Sequence, residues 1–120
     1  MTKTLRPTDL KQFTGSEHWY RHPLNRAILY TDGAQYVADA GEAHWLLDTI
    51  VLAQRYEPRV AATPFQVWTL RVQVDGRATL TCEDGDGCAP MTQVIPWTDF
   101  PLETLTLYYT NNVIYLPSEH

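Results

Sequence analysis

The sequence predicts an α+β fold: an antiparallel sheet of about six or seven strands built from hairpins, with one main amphipathic helix over about residues 42–56 on one face and a short N-terminal helix. Three features predict it. Alternating apolar and polar residues run through 65–82 and again through 102–116, apolar residues recur every three or four positions from Ala43 to Ala53, and fifteen threonines fall largely in strand-like runs. A chain of 120 residues suffices for one such unit, so residues 1–120 are expected to form a single α+β domain.

Taken in order, Thr8 reads as the cap of the short helix, with Leu10 and Phe13 on one face and Gly15 as its stop. Ser16 to His22 is expected as a further turn ended by Pro23, with His18 and His22 at i and i+4. Residues 27–38 read as a hairpin around Thr31-Asp32-Gly33, because Asp-Gly between β-rich runs is a strong turn signal. A three-residue loop there pairs Ile28 with Tyr36, whereas a two-residue loop pairs Leu29 with Tyr36; both registers remain open. Ala43, Leu46, Leu47, Ile50 and Ala53 then define the main helix, whose wide apolar face needs a sheet to cover it.

The next hairpin has a determinable register. Trp68, Leu70 and Val72 share one face of the outgoing strand, and Ala78, Leu80 and Cys82 share one face of the return. A two-residue Asp75-Gly76 loop would spread these residues over both faces. A three-residue Val74-Asp75-Gly76 loop with Gly76 left-handed instead pairs Val72 with Ala78, Leu70 with Leu80 and Trp68 with Cys82. Gln93 to Trp97 reads as an edge strand limited by Pro96. A last hairpin runs from Leu102 to Tyr109, turns at Thr110-Asn111-Asn112 and returns through Val113 to Leu116.

Charge divides the chain unequally. All nine Lys and Arg lie at or before Arg77, whereas Glu83, Asp84, Asp86, Asp99, Glu103 and Glu119 follow it without one cation. This polarity and the net charge of −5 argue against direct nucleic-acid or anionic-membrane binding and favour a protein partner with a basic surface. Tyr108 and Tyr115 supply aromatic anchors beside these acids, so the expected partner-binding set is Glu83, Asp84, Asp86, Asp99, Glu103, Tyr108, Tyr115 and Glu119. A solvated acidic surface serving solubility is the competing reading. The N-terminal stretch has charge without an apolar run behind it, which points to the cytoplasm, and no apolar run approaches the ~20 residues of a membrane span.

Chemistry has weaker support. Cys82 and Cys88 bracket three carboxylates, but the spacing provides neither the twelve-residue calcium loop nor a close zinc knuckle. A Cys2His2 zinc set would need His18 and His22 brought to both cysteines, and Cys82 is already required by the core face; an acidic turn is the favoured reading. His44 and Asp48 stand one helical turn apart, so the carboxylate is positioned to orient the imidazole for base catalysis, an arrangement that solvent-facing helices also produce by chance. No glycine-rich phosphate loop occurs, and no cofactor is expected.

The segments Asp9 to Glu17, Tyr30-Thr31-Asp32-Gly33, Trp45-Leu46-Leu47-Asp48, Thr98 to Leu102 and Leu116 to Glu119 resemble a small bacterial family described only as a domain of unknown function and often carried on plasmids, phages and integrative elements. The resemblance spans nearly the whole chain and implies no activity. His44 stands where that family usually has an aromatic residue, and Cys88 is not a family feature; both departures count against the dyad and the zinc set as shared functions. The leading expectation is a non-enzymatic protein-binding module, extended by the mobile-element setting to an anti-defence, anti-CRISPR-like inhibitor. A small metal-dependent or His/Asp hydrolase is the second reading, and a homodimer pairing edge strands or helices is the third.

Overall fold

Trp68, Leu70 and Val72 pair with Cys82, Leu80 and Ala78 in the register that face-matching requires, and the sheet extends outward from this hairpin. The computed structural model describes Leu5 and residues 18–119; the expected helix around residues 8–15 lies outside them. Strand β1 (Trp19–His22) pairs with β2 (Asn25–Thr31), and three helices follow: α1 (Asp32–Ala40), α2 (His44–Tyr56) and α3 (Pro58–Ala61). Strands β3 (Phe65–Val72), β4 (Ala78–Glu83), β5 (Met91–Ile95), β6 (Thr104–Thr110) and β7 (Val113–Tyr115) complete the sheet, followed by a 3-10 turn at Pro117–Glu119. The strand order is β1-β2-β7-β6-β3-β4-β5.

The class is α+β, but the sheet is mixed rather than purely antiparallel. Strand β2 runs parallel to β7, with Leu29 beside Val113 and Tyr30 beside Ile114. The expected 27–38 hairpin is absent because Asp32 to Ala40 leaves the sheet as a helix, so the flank of β2 stays open and β7 fills it. Thr31 begins that helix by accepting the Ala34 N–H on its side-chain oxygen at 3.3 Å. Ala34, Val37 and Ala38 then face the core at helical spacing.

The expected turn ending at His22 is instead strand β1, which pairs Tyr20 with Tyr30. His18 precedes β1 and His22 ends it, and at a strand's rise residues four apart are ~13 Å from each other rather than one helical turn, which removes the expected shared ligand geometry. The main helix forms as expected and buries Leu46, Leu47, Ile50, Val51 and Ala53. These residues join Val37 and Ala38 against Trp68, Leu70, Leu80, Leu107 and Ile114 on one face of the sheet. Among the described residues, no helix is long and apolar enough to cross a membrane.

Gln66 brings a buried amide into that core. Its Nε2 donates to the Gln54 Oε1 at 2.9 Å and the Val60 carbonyl at 2.8 Å, while its Oε1 accepts from Gln54 Nε2 and from the indole N–H of Trp68. The bonds satisfy both side-chain amides and fasten α2 and α3 to β3. In the β3–β4 loop, Gly76 has φ +92°, the left-handed conformation the register demands, and a Cβ there would come within 2.7 Å of the Trp97 ring.

Candidate functional site

The strand alternation that buries Trp68 and Leu107 turns their neighbours to the face opposite the helices. Glu83 stands across from Val67, Val67 from Tyr108, and Tyr108 from Tyr115, forming a row from β4 to β7. The Phe65 ring lies 5.1 Å from Tyr108, and the Tyr108 and Tyr115 rings meet edge-on at 5.7 Å. Burial, then the neighbouring Tyr108, pushes the Tyr115 phenol above its ordinary pKa. Beyond Tyr115, Trp19 and Thr31 line a cleft of about 330 Å³ with Val113 and Glu119. Trp19, 58% exposed, forms the outer wall.

An acidic loop adjoins this row at β4. Asp84 Oδ1 accepts the Asp86 and Cys88 N–H groups at 2.8 and 3.1 Å, and Asp84 N–H donates to the Cys88 carbonyl, so the turn is held by the Asp84 carboxylate and one backbone bond. Asp86 is exposed, while Glu83 and Asp84 are half-buried. A Cβ at Gly85 would lie 4.0 Å from the Phe65 ring, so the loop borders the aromatic row. Arg59 borders a cleft of about 290 Å³ with Asp84 and Cys88, yet among the described residues no Lys or Arg forms an ion pair with Glu83, Asp84 or Asp86.

The eight expected partner-binding residues therefore do not form one patch. Glu83, Asp84, Asp86, Tyr108 and Tyr115 come together. Glu103 lies toward the other end of the strands, where its carbonyl accepts the Val72 N–H, and five residues of β3 separate that level from Glu83, ~17 Å at the usual rise. Asp99 is exposed in the segment leading to Glu103.

Glu119 sits by the Trp19 cleft in a structural role. Its Oε1 accepts the Thr31 hydroxyl at 2.7 Å and the Leu116 N–H at 2.9 Å, and its Oε2 accepts the Gly33 N–H at the start of α1. Sequence reasoning missed Trp19, Phe65 and Val67; the last two were accessible from the register that placed Trp68 inside.

The His44–Asp48 arrangement is replaced by two other pairs. His44 Nε2 lies 2.7 Å from Asp39 Oδ1 on the exposed start of α2, and Asp48 Oδ1 lies 2.9 Å from His22 Nε2. The His22 ring is buried, and its Nδ1 accepts the Leu24 N–H at 3.0 Å, which places the proton on Nε2. Both nitrogens of His22 are thus engaged, and the pair ties the β1–β2 hairpin to α2.

The four weak zinc candidates are not assembled either. Cys82 is buried in the core, where burial, followed by Glu83 and Asp84, pushes its thiol up to about 12. Cys88 is exposed in the loop, and His18 lies beside Asp32 at 3.7 Å. Among the described residues, no group of three or more His, Cys, Asp or Glu side chains has metal-holding geometry.

A protein-family model described as a family of unknown function, DUF6876, matches residues 4–120. Comparison with curated proteins gives no match, and comparison with solved structures gives none.

Proposed function

The chain belongs to the DUF6876 family, whose function is unknown, and we propose from the site itself that it is a non-enzymatic protein-binding module docking a basic partner. The observation that carries this reading is the continuity of Glu83, Asp84 and Asp86 with the aromatic row that leads to Trp19. Aromatic side chains provide rigid anchoring area, and the adjoining carboxylates attract and orient a cationic surface. A narrower form of the proposal is an anti-defence, anti-CRISPR-like inhibitor that occupies the basic channel of a nucleic-acid-handling machine.

The test is a pull-down at low and high salt with three forms of the protein: wild type, Glu83→Lys/Asp86→Lys, and Trp19→Ala. The expected result is a partner retained at low salt, with retention reduced about tenfold by either variant. In the narrower form, the captured partner also loses nucleic-acid binding when the complex forms. Lack of a salt-sensitive partner, or capture unchanged by both variants, would overturn the docking surface.

A further inference from the structure

The two edges of the sheet differ in their capacity to accept another strand. At β1, the register shifts between Arg21 and His22, and Arg21 extends to the Arg26 carbonyl at 2.9 Å; a bulge and a charge are devices that discourage strand addition. At the other edge, β5 reads Met-Thr-Gln-Val-Ile, without a charge, proline or register shift. Among the described residues β5 pairs only with β4, leaving its outer backbone groups available to a strand.

Apolar side chains flank this edge on both faces. Leu52 and Tyr56 of α2, together with Met91 and Gln93, line a cleft of about 240 Å³ on the helix side. Leu52 is 41% exposed and Tyr56 66%, and on the opposite side Val94 is 71% exposed. Trp97 extends the apolar rim beyond the strand. A hydrogen-bonding edge lined in this way suits a strand accompanied by an apolar helix face, and the chain presents that same combination itself.

We propose that β5 is the seam of a two-fold homodimer in which the Met91–Ile95 edges of two copies pair antiparallel and continue the sheet. With Gln93 at the axis, each Gln93 amide meets its copy donor to acceptor, and Thr92 faces Val94 of the second copy. No charged residue faces its own counterpart along the strands. Because Met91 of one copy lies level with Ile95 of the other, the acidic loops after β4 fall at opposite ends of the seam and do not confront each other. The Leu52 and Tyr56 stripes approach above the joined strands and shield the seam from water. This contact is distinct from the Trp19 surface and goes beyond the basic-partner reading.

The test is sedimentation velocity on full-length protein over a dilution series, with wild type, Val94→Lys, Leu52→Lys and Trp19→Lys. Wild type is expected at twice the 13.8 kDa chain mass at high concentration and to dissociate on dilution. Val94→Lys and Leu52→Lys alter exposed positions, so they are expected to retain the wild-type circular dichroism while weakening association about tenfold or more. Trp19→Lys is expected to lose partner capture and keep the dimer, which separates failure of this proposal from failure of the basic-partner reading. Hydrogen exchange supplies a second measurement: the Met91–Ile95 amides are expected to be protected in proportion to the dimer fraction. A 13.8 kDa species at every concentration, a dimer indifferent to both β5-side variants, or one broken by Trp19→Lys would overturn the proposal.

Discussion

Asp32-Gly33 and Asp75-Gly76 are the same dipeptide in two different structures, and the contrast locates what decides a turn in this molecule. Around Asp75-Gly76 the turn closes on its own residues: Gln73 N–H donates to the Arg77 carbonyl at 2.7 Å, and Asp75 Oδ1 accepts the Arg77 N–H, while the Gly76 carbonyl also accepts the Thr98 N–H at 2.8 Å. Alternating residues continue on both sides, so the chain returns as a strand. Around Asp32-Gly33 the residues that follow are spaced for a helix, Asp32 accepts from the Tyr20 hydroxyl and the His18 N–H, and Gly33 meets a carboxylate from the far end of the fold. Glu119 holds Thr31 and Gly33, fixing the first turn of α1. The dipeptide permits a reversal, whereas the flanking periodicity and a distant acid determine whether one occurs.

The strongest test of this contrast is Gly33→Ala. A Cβ at Gly33 would lie 2.5 Å from Glu119 Oε1 and 2.6 Å from Leu116 Cδ1, displacing both the acid and its support. The expected destabilisation is about 3 kcal/mol, measured by denaturant unfolding, together with loss of helical circular dichroism.

Glu119→Ala removes the acceptor without adding bulk and is expected to lower stability by about 2 kcal/mol, because the Thr31, Gly33 and Leu116 donors lose their partner. Glu119→Gln retains one amide oxygen and is expected to lose less than half as much in the same unfolding experiment. Of the three alanine substitutions, Gly76→Ala is expected to have the smallest effect, about 1.5 kcal/mol, since the alanine must hold φ +92° and the exposed Trp97 ring can swing aside. A drop in thermal midpoint with α1 intact is the distinguishing result; equal loss of helix in Gly76→Ala and Gly33→Ala would erase the comparison.

The same contrast explains which parts of the fold were legible in the sequence. The β3–β4 register followed from matching Trp68, Leu70 and Val72 to residues only a loop away, and helix α2 followed from its own periodicity. The β6–β7 turn was likewise local, with Asn111 and Asn112 both at positive φ. Helix α1 was hidden by the Asp-Gly signal, although Ala34, Val37 and Ala38 carried a helical pattern that outweighs it once Thr31 caps the helix.

The parallel β2–β7 pair and the His22–Asp48 bond depend on strand order, which local pattern does not encode. The candidate site was legible by the same measure. The acids and tyrosines were evident as residue types, but only the register shows that Glu83 shares a row with Tyr108 and Tyr115 while Glu103 lies near the opposite ends of the strands.

The parallel pair has a consequence for biosynthesis. Among the described residues, strand β2 meets the rest of the sheet only through β7, so as the chain leaves the ribosome the β1–β2 hairpin waits for its docking strand until the β6–β7 hairpin has also emerged. Throughout that interval Ile28 and Tyr30 lack their Ile114 neighbourhood, and closure must await a contact spanning most of the polypeptide. Among the described residues, the order of translation thus makes the β1–β2 hairpin the first strand pair to be made and one of the last to find its place.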